Sequence, residues 1–95
     1  MEERVMTLHP QGKAGVNITR ERYDTIRESI LCSLRDHGDM TFKDLTEDVR
    51  RWLGGTFDGS VSWYVTTVKL DLEARGTIER IPKETPQRLR LTLPA

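Results

Sequence analysis

SVSWYVTTVKLDLEARGTIERIPKETPQRLRLTL, residues 60–93, changes its apolar period midway. Up to Arg75, the residues Val61, Val65, Val68 and Leu72 recur at steps of three and four. At ~100° per residue they fall within one narrow arc, with Tyr64 at its edge. Gly76 ends that pattern, and the period then becomes two. Ile78 and Ile81 precede a polar break, Pro82-Lys83-Glu84-Thr85-Pro86, after which Leu89, Leu91 and Leu93 alternate with Arg88, Arg90 and Thr92. The spacing predicts a helix over 60–75 followed by a β-hairpin with one buried and one wet face.

Two more helices lie upstream. Thr19 is placed to cap the first, whose Tyr23, Ile26, Ile30, Leu31 and Leu34 form an amphipathic stripe ending at His37-Gly38. Asp39-Met40 reads as a short connector with room for a one-bridge strand. Thr41, three residues before Asp44, begins the second, with Leu45, Val49, Trp52 and Leu53 as its stripe and Gly54-Gly55 as its stop. Phe57-Asp58-Gly59-Ser60 reads as a turn anchored by Phe57. Residues 1–18 show no helical period, and Pro10, Gly12 and Gly15 punctuate any strand, so this segment reads as an extended arm ahead of a domain over 19–95. Its Val5, Met6, Leu8, Val16 and Ile18 are available to pack. Three helices and then a hairpin give an α+β domain in the winged helix-turn-helix order. Its expected core is Ile26, Ile30, Leu34, Leu45, Val49, Phe57, Val61, Val65, Val68, Leu72, Ile78, Leu89 and Leu91.

Composition bounds the function. The 95 residues hold 15 Lys plus Arg against 15 Asp plus Glu, so the formal net charge is zero. A strong nucleic-acid binder usually carries a basic excess; here only the segment from 77 onward is positive, at +2. No apolar run approaches the length of a membrane span. The opening MEERV lacks the basic and apolar start of a secretion signal, and the single Cys32 suits a reducing compartment, so the expected location is cytoplasmic. One thiol and two histidines, His9 and His37, make no usual zinc set. Gly12-Lys13 and Gly15 lack the spacing of a phosphate-binding loop. No nucleophile–base–acid pattern is visible, so neither an enzyme nor a cofactor is expected.

The stretch FDGSVSWYVTTVKLDLEARGTIERIP (57–82) with PQRLRL (86–91), preceded by LHP (8–10) and GKAGVNI (12–18), resembles small uncharacterised bacterial winged-helix proteins of about this length. LEARGTI (72–78) is similar to the junction of helix and wing in many winged-helix regulators. The resemblance implies a compact winged-helix domain in a prokaryotic cytosol and supplies no functional residues.

Two surfaces stand out. In the first reading the third helix enters a DNA major groove as part of a transcription-regulator-like dimer. Ser62, Thr66, Thr67 and Lys69 then touch the groove, and Arg80, Lys83, Arg88 and Arg90 of the wing hold phosphates. Arg20, Arg22 and Lys43 are placed to extend that patch. Against this, the helix face carries no Arg, Asn or Gln, the commonest bidentate base readers. It carries a second apolar stripe instead, Trp63, Leu70 and Ala74. The rival reading makes that stripe an interface with the arm, with a second copy of the chain, or with another protein, and gives the domain no nucleic-acid duty.

Overall fold

In the computed structural model, residues 2–83 and 85–92 are described. The first helix, α1 (Arg20–His37), starts where Thr19 Oγ1 accepts from the Arg22 amide at 3.3 Å. Met40–Thr41 follow as a two-residue strand, and α2 (Phe42–Leu53) opens with Thr41 Oγ1 accepting from the Asp44 amide at 3.1 Å. Gly54 closes α2 at φ 58°, a left-handed conformation that a side chain would disfavour. Ser60 caps α3 (Val61–Ala74) by accepting from the Trp63 amide at 3.2 Å. The starts of α1 and α2 and the stop of α2 fall at Thr19, Thr41 and Gly54, where the sequence puts them, and α3 is one residue shorter at each end than the 60–75 expected.

The chain is α+β, with three helices and two small antiparallel sheets. Numbered in chain order, the strands are β1 (Arg4–Met6), β2 (Asn17–Thr19), β3 (Met40–Thr41), β4 (Ile78–Arg80) and β5 (Arg88–Leu91). β1 pairs with β2, and β5 lies between β3 and β4. In the second sheet Leu89 stands opposite both Met40 and Arg80, so the connector after α1 joins the C-terminal hairpin. Leu93 and Glu84, part of the expected hairpin, lie outside the described residues.

Most of the expected core is buried: Ile26, Ile30, Leu34, Leu45, Val49, Val65, Val68, Leu72, Ile78 and Leu89. Phe57, Val61 and Leu91 pack against it from partly exposed positions. Trp52 does not join the α2 stripe, since it is 57% exposed. It stands on the flank of α2 one turn beyond Asp48, whose carboxylate binds Arg51 at 2.7 Å and faces His37 of α1 at 3.5 Å. That flank is a polar seam. The nearby Ser33 hydroxyl, then Arg51 and His37, hold the Asp48 carboxyl below the usual range against the opposing effect of burial.

The segment read as an extended arm contains the β1–β2 hairpin, and its Val5 and Ile18 enter the same core as the helices. Met6, Leu8 and Val16 stay exposed. The hairpin closes through Thr7, buried at its mouth. Its amide donates to Val16 O and its hydroxyl accepts from the Val16 amide, both at 2.9 Å. A Cβ on Gly15 would stand 1.7 Å from the Thr7 carbonyl oxygen, so only glycine lets the two arms approach.

Candidate interaction surface on the third helix

The face of α3 opposite the core divides along its length. Near the N-terminus Ser62, Trp63 and Thr66 are exposed, while Thr67, Leu70 and Ala74 are half-buried. The Ser62 hydroxyl accepts from Arg50 Nη2 of α2 at 3.0 Å, and the Thr66 hydroxyl donates back to Ser62 O at 2.9 Å. Arg50 was not singled out from the sequence, yet it is the cation beside the expected groove residues. Its place on the α2 wheel, about 80° from Phe42, was the available signal.

Lys69 corrects the sequence reading. It stands about 80° round the helix from Val61, near enough to the core face that α2 and β4 cover it. Its side chain is 9% exposed, with Nζ 3.6 Å from Glu73 Oε2 and 5.0 Å from the Phe42 ring centre. Burial pushes its pKa down, and the Glu73 charge opposes that shift. The structure thus places this ammonium inside, on Glu73, and not on the outward face of α3.

The arginines of the β4–β5 hairpin are likewise engaged by carboxylates. Arg80 binds the other oxygen of Glu73, Arg88 binds Asp39 at 2.6 Å, and Arg90 binds Glu79 at 2.8 Å. Glu73 thus ties the root of the β4–β5 hairpin to Lys69 inside α3. Lys83 is exposed between β4 and β5, at φ 64°. Glu73 and Asp39 were missed as partners of this basic group because they come from α3 and from the loop after α1.

A second polar centre holds the N-terminal segment on α3. Asp71 is fully buried and accepts from the Leu8 amide at 2.8 Å, from Arg75 Nε at 2.9 Å, and from the Tyr23 hydroxyl. Burial, reinforced by the Asp71 carboxylate, pushes the Tyr23 phenol up to about 12. The same carboxylate raises the pKa of Arg75. Ala74, at the end of the second apolar stripe, borders a shallow depression together with Met6 and Leu8. The arm therefore sits beside the C-terminal end of that stripe, and the N-terminal end stays open.

At the open end three aromatic rings stand in series. Phe57 meets Tyr64 edge-on at 5.1 Å between ring centres, and Trp63 meets Tyr64 edge-on at 4.8 Å. Arg22 of α1 lies over the Tyr64 ring at 5.8 Å, donates to its hydroxyl at 3.4 Å and pairs with Asp58 at 3.0 Å. Trp63 keeps 46% of its surface exposed. Between these rings, β2 and the first turns of α1 runs a groove of about 580 Å³.

Among the described residues no group of three or more His, Cys, Asp or Glu is placed to hold a metal ion, and no helix is long and apolar enough to cross a membrane. No curated protein and no solved structure matches the chain. One family model does match, over residues 4–89, and with nearly the whole chain covered the protein belongs to the Family of unknown function (DUF6958).

Proposed function

We propose that this chain is a winged helix-turn-helix domain that works by protein contact through the N-terminal half of α3, without a nucleic-acid duty. The element order α1–β3–α2–α3–β4–β5, with β5 pairing both β3 and β4, supports the fold half of this reading. The observation that carries the functional half is electrostatic. Lys69 is inside, and Arg80, Arg88 and Arg90 each face a carboxylate within ion-pair distance. Counterion release follows the net charge presented to the phosphates, and pairs of this kind present almost none. What the helix offers outward is Trp63, flanked by the hydroxyl residues Ser62 and Thr66. Tryptophan is among the side chains most enriched in interface hot spots. The partner is a second copy of the chain or another protein.

A second reading keeps DNA as the partner, with Ser62, Thr66 and Thr67 in the groove, Arg50 beside them and Lys83 at the wing tip. The exposure of Ser62 and Thr66 next to Arg50 favours it. A fluorescence titration with random-sequence duplex at low salt separates the two. The protein-contact reading expects no binding, and expects Trp63→Ser to alter sedimenting mass or partner capture while the equally exposed Trp52→Ser does not. Duplex binding that weakens steeply with salt would overturn it and leave the DNA reading.

A further inference from the structure

Resting on the protein-contact reading, we infer that the groove beside Trp63 seats an extended peptide segment of the partner, with an arginine or lysine side chain laid across the indole. Three independent features of the groove select that occupant.

The first is the strand that walls it. Asn17, Ile18 and Thr19 line the groove, and among the described residues β2 has β1 as its only strand neighbour. The bonds from Thr7 N to Val16 O and from Arg20 N to Glu3 O flank the Val5–Ile18 pair on both sides. Antiparallel alternation then turns the peptide groups of Asn17 and Thr19 away from β1; Arg4 takes the Asn17 carbonyl and the Thr19 carbonyl starts α1, so the two amides are what this edge offers the groove. Such an edge is a template for an added strand, and main-chain pairing of this sort is a recurrent way to bind an extended peptide.

The second feature is the floor. Tyr64 is fixed by Phe57, Trp63 and Arg22 together, so the indole packed on it is held in place before any partner arrives. A pre-positioned exposed indole suits a cation, because the ring face carries the negative part of its quadrupole.

The third is charge. Arg22 is engaged by Asp58 and Tyr64, and Arg4 is bound to the side chain and carbonyl of Asn17. Glu2 and Glu21 also line the groove, and neither has an ion-pair partner among the described residues. The lining thus holds three carboxylates to two guanidinium groups; Arg22 is matched by Asp58, and the exposed Glu2 and Glu21 outweigh the single charge of Arg4, which no carboxylate meets among the described residues. An incoming cation meets complementary charge, whereas an acidic segment meets the reverse.

The test uses the full chain and three capped pentapeptides: Ala-Val-Arg-Val-Ala, and the same peptide with Gln or Glu at the centre. Amide chemical shifts are followed on titration. The arginine peptide should perturb residues within 17–25 and 56–64. It should bind about tenfold more tightly than the glutamine peptide, the size of one cation–π contact reinforced by a rim charge. Trp63→Ala and Glu21→Gln, both at exposed positions, should each erase that preference and leave the spectrum otherwise folded. Equal binding of the Arg and Gln peptides, shifts confined to other residues, or no shift up to ~10 mM peptide, where millimolar affinity would be visible, would each overturn the inference. The broader reading fails separately, by salt-dependent binding to duplex. If duplex does not bind and Trp63→Ser alters self-association, but the peptides are silent, only this inference falls.

Discussion

Replacing Asp71 by alanine should be the most damaging single change in this chain. The carboxylate accepts from three elements at once: the Leu8 amide of the N-terminal segment, the Tyr23 hydroxyl of α1, and Arg75 one turn on in α3. Truncation leaves a part-buried amide and a buried phenol without acceptors, at roughly 1–3 kcal/mol for each orphaned group and toward the lower end for the amide. The partly exposed Arg75 turns to water and adds little. The expected loss is therefore about 3–5 kcal/mol, a large share of the total stability of a domain this size. Asp71→Asn keeps the shape and one carbonyl acceptor, so its cost should be smaller. Urea unfolding gives the difference, and amide exchange at Leu8 and Thr7 says where it acts. Both amides should lose protection even under conditions where α1 and α3 stay folded. A cycle with Tyr23→Phe should show coupling of the two changes, because they share one bond. A loss under ~1 kcal/mol for Asp71→Ala, with Leu8 protection unchanged, would refute the idea that this carboxylate holds the hairpin down.

Tyr23 gives a pH signature for the same centre. Its folded pKa, about 12, is above the ordinary value of 10.0, so the stability linked to it is complete below pH 10 and is lost as pH rises toward 12. Two pH units correspond to roughly 2–3 kcal/mol, and Tyr23→Phe should flatten that alkaline loss in urea midpoints measured across this range. Gly15→Ala drives a methyl into the Thr7 carbonyl and should open the β1–β2 hairpin; loss of Thr7 and Val16 exchange protection, with the α2–α3 amides unaffected, checks it. Lys69→Met, which trades a buried ammonium for an apolar chain of similar length, should stay within ~1–2 kcal/mol of the parent. Glu73→Ala strands that ammonium beside Arg80 and should cost about 3–5 kcal/mol; thermal melts of the two variants give the ranking, and a reversed order would mean that Lys69 reaches solvent.

Helix positions were legible because local signals agree with one another. Thr19, Thr41 and Ser60 each bond an amide of the first turn that follows, and the valines of α3 at steps of three and four are all at its inner face. The N-terminal hairpin was not legible, for a reason that is also physical. Its two strands have three residues each and are separated by ten others, so alternation has no length over which to show. What fixes it is long-range: the close approach of Gly15 to Thr7, and an acceptor on α3. Trp52 was misplaced because an apolar residue at the right wheel angle need not be covered. The seam beside it is occupied by Asp48, His37 and Arg51, and nothing in their spacing announces that they meet.

The same distinction explains why the charged residues misled more than the apolar ones. An alternating hairpin correctly puts Arg88 and Arg90 outward, but the direction of a side chain does not give the potential around it. Arg88 is cancelled by Asp39 and Arg80 by Glu73, across 49 and 7 residues of sequence respectively. A basic segment of +2, read along the chain, becomes in three dimensions a rim of ion pairs. Exposed pairs such as Arg88–Asp39 and Arg90–Glu79 contribute little to stability, commonly under ~1 kcal/mol, so the fold does not require them. On the protein-contact reading their consequence is electrostatic: they reduce the positive field around the C-terminal hairpin. At the opposite end of the helix the lining beside Trp63 keeps Glu2 and Glu21 against the one unmatched Arg4, so its balance is negative. On the protein-contact reading, that lining and the exposed indole beside it favour a partner that brings a cation.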